Sequence, residues 1–79
     1  MQTMQTVRIM NRKGKTRFQL VIVTTLLSSD GKQSQIAHHG NKSYVIVAHD
    51  ALGEIYGLKS LVGKVPQIEG VQSYIPHNK

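Results

Sequence analysis

The chain has 79 residues, no cysteine, and ten Lys and Arg residues against four Asp and Glu residues, which gives a net charge of +6. The lack of cysteine excludes a disulfide framework and thiolate catalysis, and the polar, cationic first residues lack the apolar stretch of a secretory signal, so we expect a cytoplasmic protein. The longest apolar run, FQLVIVTTLL, is interrupted by polar residues and is far too short to span a bilayer, so we expect no membrane partner.

The first predicted elements are two strands joined by a basic turn. Residues 7–10 and 17–23 are rich in apolar and β-branched side chains, and the polar connector between them, NRKGKT, contains Gly14. Glycine readily adopts the positive φ that such a connector needs. The sequence therefore predicts a hairpin with a basic tip.

Two further strands continue this pattern. The dipeptide Asp30-Gly31 is typical of a type I′ turn between strands. Residues 33–38 are weakly strand-like, whereas residues 43–48, SYVIVA, form a strong β-branched run. Together with the first hairpin, these segments predict a four-strand meander.

The apolar pattern changes to a helical period after residue 50. Between Asp50 and Gly63 the apolar side chains recur at intervals of three and four, which is typical of one side of a helix. Asp50 is suited to cap its first turn, and Gly63 to end it. The alternation in GVQSYIP then predicts a short last strand over residues 71–75, which Pro76 confines to a sheet edge.

These elements predict an α+β fold in a single domain over residues 1–79, with residues 1–6 flexible. Adjacent positions are apolar in residues 20–23 and again in residues 45–47, so each of these two strands must bury both of its faces. One short helix covers only one face of a sheet. We therefore expect a small curled antiparallel sheet that is either barrel-like or covered by a second copy of the chain in a homodimer.

Cations cluster in the first predicted hairpin. The segment RIMNRKGKTRF carries five cations and no acid, namely Arg8, Arg12, Lys13, Lys15 and Arg17. Lys32 and Lys42 lie at the next two predicted turns. Because successive turns of a meander point to opposite ends of a sheet, these two lysines join the cluster only if the sheet coils.

Aromatic rings beside these cations would add base stacking to phosphate contacts. Phe18 and Tyr44 lie in strands that must fill a core, so we expect both rings to be buried. Tyr74, on the terminal edge strand, is the best candidate for stacking. The cationic cluster itself has three interpretations: a nucleic-acid contact, a contact with an acidic protein surface, or a solvated turn that protects a sheet edge from aggregation.

The sequence offers little for catalysis or metal binding. His38 and His39 are adjacent, so they point to opposite faces of a strand, and no histidine pair has the helical spacing of a metal site. The serines lack a triad, the few acids are expected in turns and caps, and no phosphate-binding glycine loop is present. We therefore expect no enzymatic activity, no metal site and no cofactor.

The leading hypothesis is a small basic module that binds nucleic acid through phosphate contacts from its N-terminal hairpin. The alternative is a protein-binding regulator or inhibitor of the mobile-element type, which docks on an acidic or nucleic-acid-binding surface of a host complex. A third hypothesis is an assembly subunit that associates with itself.

Overall fold

The computed structural model describes residues 1–73 and consists almost entirely of β-strands. Its strands are β1 (Gln2–Met10), β2 (Thr16–Leu27), β3 (Gln33–His39), β4 (Lys42–Asp50), β5 (Gly53–Leu58) and β6 (Gln72–Ser73). A 3-10 turn at Lys59–Leu61 follows β5. The four strands predicted before residue 50 are all present, and each is longer than predicted.

The strands β1 to β5 form a closed ring. Each of β1 to β4 pairs antiparallel with the next strand along the chain, and β1 pairs in parallel with β5 through Arg8 beside Ile55 and Ile9 beside Tyr56. A meander with an odd number of strands begins and ends in the same direction, so the closing pair has to be parallel. β6 pairs antiparallel with β4. The prediction of an antiparallel sheet built on a four-strand meander is therefore wrong, because the sheet is mixed and has six strands.

The interior of the ring holds one of two hydrophobic cores, which we call the inner core. Its buried members alternate along the strands and are Val7, Ile9, Val21, Val23, Ala37, Tyr44 and Tyr56. The hydroxyl of Tyr56 donates a hydrogen bond to Gln35 Oε1 at 3.0 Å. Burial and, to a lesser extent, the charge of Glu54 raise the pKa of Tyr56. The hydroxyl therefore stays protonated and has a hydrogen-bond partner inside the ring.

The second hydrophobic core, which we call the outer core, lies on the other face of β4 and β5. Its buried members are Met10, Val47, Ala48, Ile55, Leu61 and Val65. Leu61 and Val65 belong to the segment after β5, which packs over these strands. β4 and β5 are therefore covered on both faces by the chain itself.

The prediction of a helix from Asp50 is wrong, and so is the α+β class that depended on it. Residues 53–58 form β5, and the part of the chain that the structure describes contains no α-helix. Ile55 packs in the outer core and its neighbour Tyr56 in the inner core, which is the two-residue period of a strand. The three- and four-residue spacing of the apolar side chains arose because β5 is buried on both faces.

Two glycines fit the strand and not the helix. Gly53 has a φ of 123°, far from the helical region. Gly57 lies so close to the outer core that a Cβ built on it would be 3.0 Å from Val47 Cγ2. Asp50 caps no helix and instead ends β4.

The N-terminal end of the chain differs from the sequence prediction, whereas the prediction for the C-terminal end falls partly outside the described residues. Residues 2–6, expected to be flexible, belong to β1 and pair with β2, from Gln2 opposite Thr24 to Thr6 opposite Leu20. The predicted last strand is described only as far as β6, and its remainder lies outside the described residues. Within residues 1–73, no helix is long and apolar enough to cross a membrane.

Candidate nucleic-acid interface

The tip between β1 and β2 is an ordered turn organised by Asn11. The backbone N–H groups of Lys13 and Lys15 donate to Asn11 Oδ1 at 2.9 and 3.0 Å. The Asn11 N–H donates to the Lys15 carbonyl, and the Gly14 N–H donates to the Asn11 carbonyl. Sequence reasoning identified Gly14 but missed Asn11, although an asparagine that opens a turn commonly accepts from the N–H two residues later. The basic side chains of the tip therefore project from a fixed backbone.

The segment after β5 packs against this tip. Gly14 has a φ of 87°, and a Cβ built on it would lie 2.8 Å from Ile68 Cδ1 and 3.4 Å from Pro66 Cγ. Only a residue without a side chain fits this approach without displacing its neighbours. The tip is thus packed against the body of the protein and does not project freely into solvent.

Three cations from separate segments line a single cavity of about 190 Å³ at this end of the ring. They are Arg12 from the tip, Arg17 from β2 and Lys42 from the start of β4. The remaining lining residues are Asn11, Met10, Tyr44, Leu58 and Leu61. We call this end, with its exposed cations Arg12, Lys13, Lys15, Arg17 and Lys42, the basic mouth.

The topology explains why these residues meet. β1 and β5 end, and β2 and β4 begin, at the same end of the ring, because neighbouring strands alternate in direction. The first and third turns of the meander therefore lie at one end, and closure of the ring brings their side chains round to one cavity. Lys42 joins the cations of the tip for this reason.

The cations of the basic mouth have no carboxylate partner within residues 1–73, where the one ion pair joins Arg8 to Asp50. None of the residues that line the cavity is acidic. Exposed Lys59 and Lys64 follow the end of β5 and add to the positive charge near Leu61. Sequence reasoning missed both lysines: Lys59 fell within the predicted helix, and Lys64 followed its end.

Arg8, predicted among the binding cations, is instead part of the ring's closure. Its Nη1 donates to Asp50 Oδ2 at 2.8 Å, and its Nη2 donates to Asp50 Oδ1 at 2.5 Å and to the Gly53 carbonyl at 3.0 Å. The Arg8 and Asp50 side chains are only 11% and 21% exposed. These hydrogen bonds lower the pKa of Asp50 to about 2 and raise the pKa of Arg8. Arg8 therefore links β1 to the turn between β4 and β5.

Lys32 lies at the opposite end of the ring, in the turn between β2 and β3, so it does not join the basic mouth. That turn is not the predicted type I′, which requires positive φ at both central residues. Within the described residues only glycines have positive φ, so Gly31 does and Asp30 does not. Hydrogen bonds from the Ser28 hydroxyl and the Lys32 N–H lower the pKa of Asp30.

The aromatic residues are placed differently from the prediction. Tyr44 is buried, as expected, but Phe18 is 71% exposed, so its assignment to the core is wrong. Phe18 stands on the outward face of β2, the face opposite to that of inner-core Val21. Tyr74, the predicted stacking residue, lies outside the described residues.

The histidines do not assemble a metal site in the described part of the chain, where no group of three or more His, Asp or Glu residues lies close enough to hold an ion. His38 Nδ1 lies 3.3 Å from the hydroxyl oxygen of Ser43. Asp50 is held by Arg8, so it is not free to act as a ligand.

No family model, curated protein sequence or solved structure matches this chain.

Proposed function

We propose that the protein binds nucleic acid through backbone phosphates at the basic mouth. The observation that carries this proposal is the convergence of Arg12, Arg17 and Lys42, from three separate segments, on a cavity without an acidic lining residue. Like charges brought together on a folded surface repel one another, and a bound polyanion relieves that repulsion.

Positive and negative charges are also separated along the axis of the ring. The tip, the starts of β2 and β4, and the segment after β5 carry seven of the ten Lys and Arg residues at one end, and this last segment also carries Glu69. Three of the four acids, Asp30, Asp50 and Glu54, belong to the turns at the other end or to the residues beside them. This polarity steers an approaching polyanion toward the basic mouth.

The side chains of the basic mouth suit phosphate chemistry. A guanidinium donates two parallel hydrogen bonds to one phosphate, so Arg12 and Arg17 supply directional contacts. Lys42, Lys13 and Lys15 supply mobile point charges around them. Because Asn11 holds the tip and Gly14 lies close against Ile68 and Pro66, little backbone ordering is needed when the ligand binds.

Salt dependence tests the proposal directly. If the basic mouth neutralises about four phosphates of a duplex, the log-log slope of affinity against salt is about −3.6. Affinity then falls about a hundredfold between roughly 50 and 200 mM salt. Titration of a labelled oligonucleotide by fluorescence anisotropy at several salt concentrations measures this slope.

The chain offers a matched pair of lysine variants for this experiment. Lys42→Ala removes a cation of the basic mouth, and we expect it to reduce the slope by about 0.9. Lys32→Ala removes a lysine that is also exposed, at the opposite end, and leaves the slope unchanged. Equal effects of the two variants, or binding by the wild type that does not depend on salt, would contradict the proposal.

A second candidate function is supported by the apolar part of the same cavity. Met10, Leu58 and Leu61 lie beside the three cations, and this combination suits an acidic protein segment that carries an apolar side chain. Such a partner fits a regulator or inhibitor that docks on a host complex. Purification with and without nuclease treatment separates the two functions, because a protein complex survives the nuclease and a nucleic-acid complex is lost.

The proposed role is binding without catalysis, in the cytoplasm. Among residues 1–73, Asp50 is held by Arg8 and Asp30 by the turn that contains it, so neither carboxylate is free for acid–base chemistry. The lack of cysteine is compatible with a reducing compartment.

A further inference from the structure

An apolar stripe runs along the outward face of β2 and onto β1. The side chains that compose it are Phe18, Leu20, Ile22 and Leu26 on β2 and Met4, opposite Ile22, on β1. Each of them is between 41% and 71% exposed. The stripe itself has no charged member. Thr24 lies within it between Ile22 and Leu26, and on β1 Thr6 and Arg8 lie beside it, opposite Leu20 and Phe18.

The described chain leaves this stripe uncovered. The segment after β5, which forms the outer core, packs over β4 and β5 on another part of the ring. β2 therefore presents Val21 and Val23 to the inner core and its alternate apolar residues to solvent. An exposed apolar face of this kind marks an interaction surface.

We propose that a second copy of this chain covers the stripe in a two-fold symmetric dimer. If a large apolar side chain has about 200 Å² of accessible surface when fully exposed, the five partly exposed side chains of the stripe leave on the order of 500 Å² of apolar surface per copy. The pair then buries about 1,000 Å², which with Thr6 and Thr24 reaches the lower range of specific interfaces. We therefore expect a reversible dimer that dissociates on dilution.

The charges of the chain set the orientation of the two copies. Phe18 is one residue from Arg17 of the basic mouth, and Leu26 lies at the other end of the stripe, roughly 27 Å away along the strand. A two-fold axis near Ile22 packs Phe18 of one copy near Leu26 of the second. The two basic mouths then lie at opposite ends of the dimer, so their like charges stay apart. A parallel arrangement would bring the two mouths together and is disfavoured.

Sedimentation equilibrium of the full chain, from low micromolar to near-millimolar concentration, tests this dimer. We expect the average mass to rise from one chain to two. Leu20→Lys places a charge in the middle of the stripe and should raise the dimer dissociation constant tenfold or more, about 1.4 kcal/mol. Leu20→Thr, which keeps a strand-forming residue, serves the same purpose if the lysine variant does not fold.

The matched control is Gln72→Lys, because Gln72 is exposed and lies on β6, which pairs with β4 and not with β1 or β2. It adds the same charge and should leave the dissociation constant unchanged. A wild type that stays monomeric at every concentration would overturn the proposal, and so would equal weakening by both lysine variants. If Leu20→Lys lowers oligonucleotide affinity in a protein that is always monomeric, the stripe binds nucleic acid instead. The dimer is inferred without reference to the proposed function, so either can fail alone.

Discussion

Gly57, in the middle of β5, offers a sharp test of how the outer core is packed. A Cβ built on Gly57 would lie 3.0 Å from Val47 Cγ2, 3.1 Å from Leu61 Cδ2 and 3.4 Å from the carbonyl oxygen of Met10. Val47 and Leu61 are buried in the outer core, so neither can turn aside into solvent. Gly57 itself has no positive φ, so alanine meets no backbone strain at this position. We expect Gly57→Ala to destabilise the protein through these contacts alone.

The size of the effect follows from two opposing contributions. Carbon atoms pack best at about 3.5–4.0 Å, so the added methyl group intrudes on both neighbours, and overpacking of this kind costs about 1–3 kcal/mol. Replacing glycine by alanine in the unfolded chain stabilises the protein by about 0.4–1 kcal/mol, because fewer backbone states are lost on folding. The net expectation is a decrease of about 1–2 kcal/mol in the free energy of unfolding. For a domain of this size, that lowers the melting temperature by roughly 5–15 °C.

Urea denaturation followed by circular dichroism measures this decrease. The double variant Gly57→Ala with Val47→Ala supplies the control, since it removes the methyl group that the new Cβ meets. We expect its loss of stability to be smaller than the sum of the two single losses by at least about 0.5 kcal/mol. A Gly57→Ala protein as stable as the wild type, or more stable, would refute the close approach of β5 to the outer core.

Three further predictions concern the ion pair and the turns. Because Arg8 lowers the pKa of Asp50 from 3.8 to about 2, this pair adds stability above pH 4 that is lost as the pH falls toward 2. Denaturation across that range should show a smaller pH dependence for Asp50→Asn than for the wild type. Gly14→Ala and Gly31→Ala both place alanine at a positive φ, of 87° and 85°. Only Gly14 also contacts the segment after β5, through Ile68 and Pro66. The new methyl group of Gly14→Ala would push Ile68 away from its preferred rotamer. Thermal unfolding should therefore show that Gly14→Ala loses up to about 1.5 kcal/mol more folding free energy than Gly31→Ala. Asn11→Ala should lower the free energy of unfolding by about 1 kcal/mol, because two backbone N–H groups lose their acceptor; an unchanged denaturation midpoint would contradict this.

The sequence predicted the strands and the first turn because both depend on local chemistry. β-branched runs marked β2 and β4, and Gly14 marked the tip between β1 and β2. The same local evidence was ambiguous for β5, where a strand buried on both faces imitates the spacing of a helix. Gly53 and Gly57 were the available signal against a helix. The reason for each glycine is visible only in the structure, where Gly53 has a positive φ and Gly57 packs closely against Val47 and Leu61.

The candidate site was only partly predictable, because its assembly depends on pairings between distant segments. The association of Lys42 with the tip required a sheet that closes on itself, and the position of Lys32 followed from the direction of its strand. The pairing of Arg8 with Asp50 joins residues 42 positions apart, and no spacing rule predicts it. The exposure of Phe18 has a similar origin, since the chain covers the second face of β4 but leaves that of β2 free.

Closure of the ring between β1 and β5 has a consequence for how the chain folds. The described register of that pairing involves only two residues of each strand, and the rest of β1 has backbone pairing with β2 alone. During synthesis, β1 can pair with β5 only after β5 has left the ribosome. This pairing therefore forms late, between residues that are far apart in the sequence. In the folded protein, hydrogen exchange should first detect opening at this pairing, with the amides that bond β1 to β5 losing protection before those between β1 and β2.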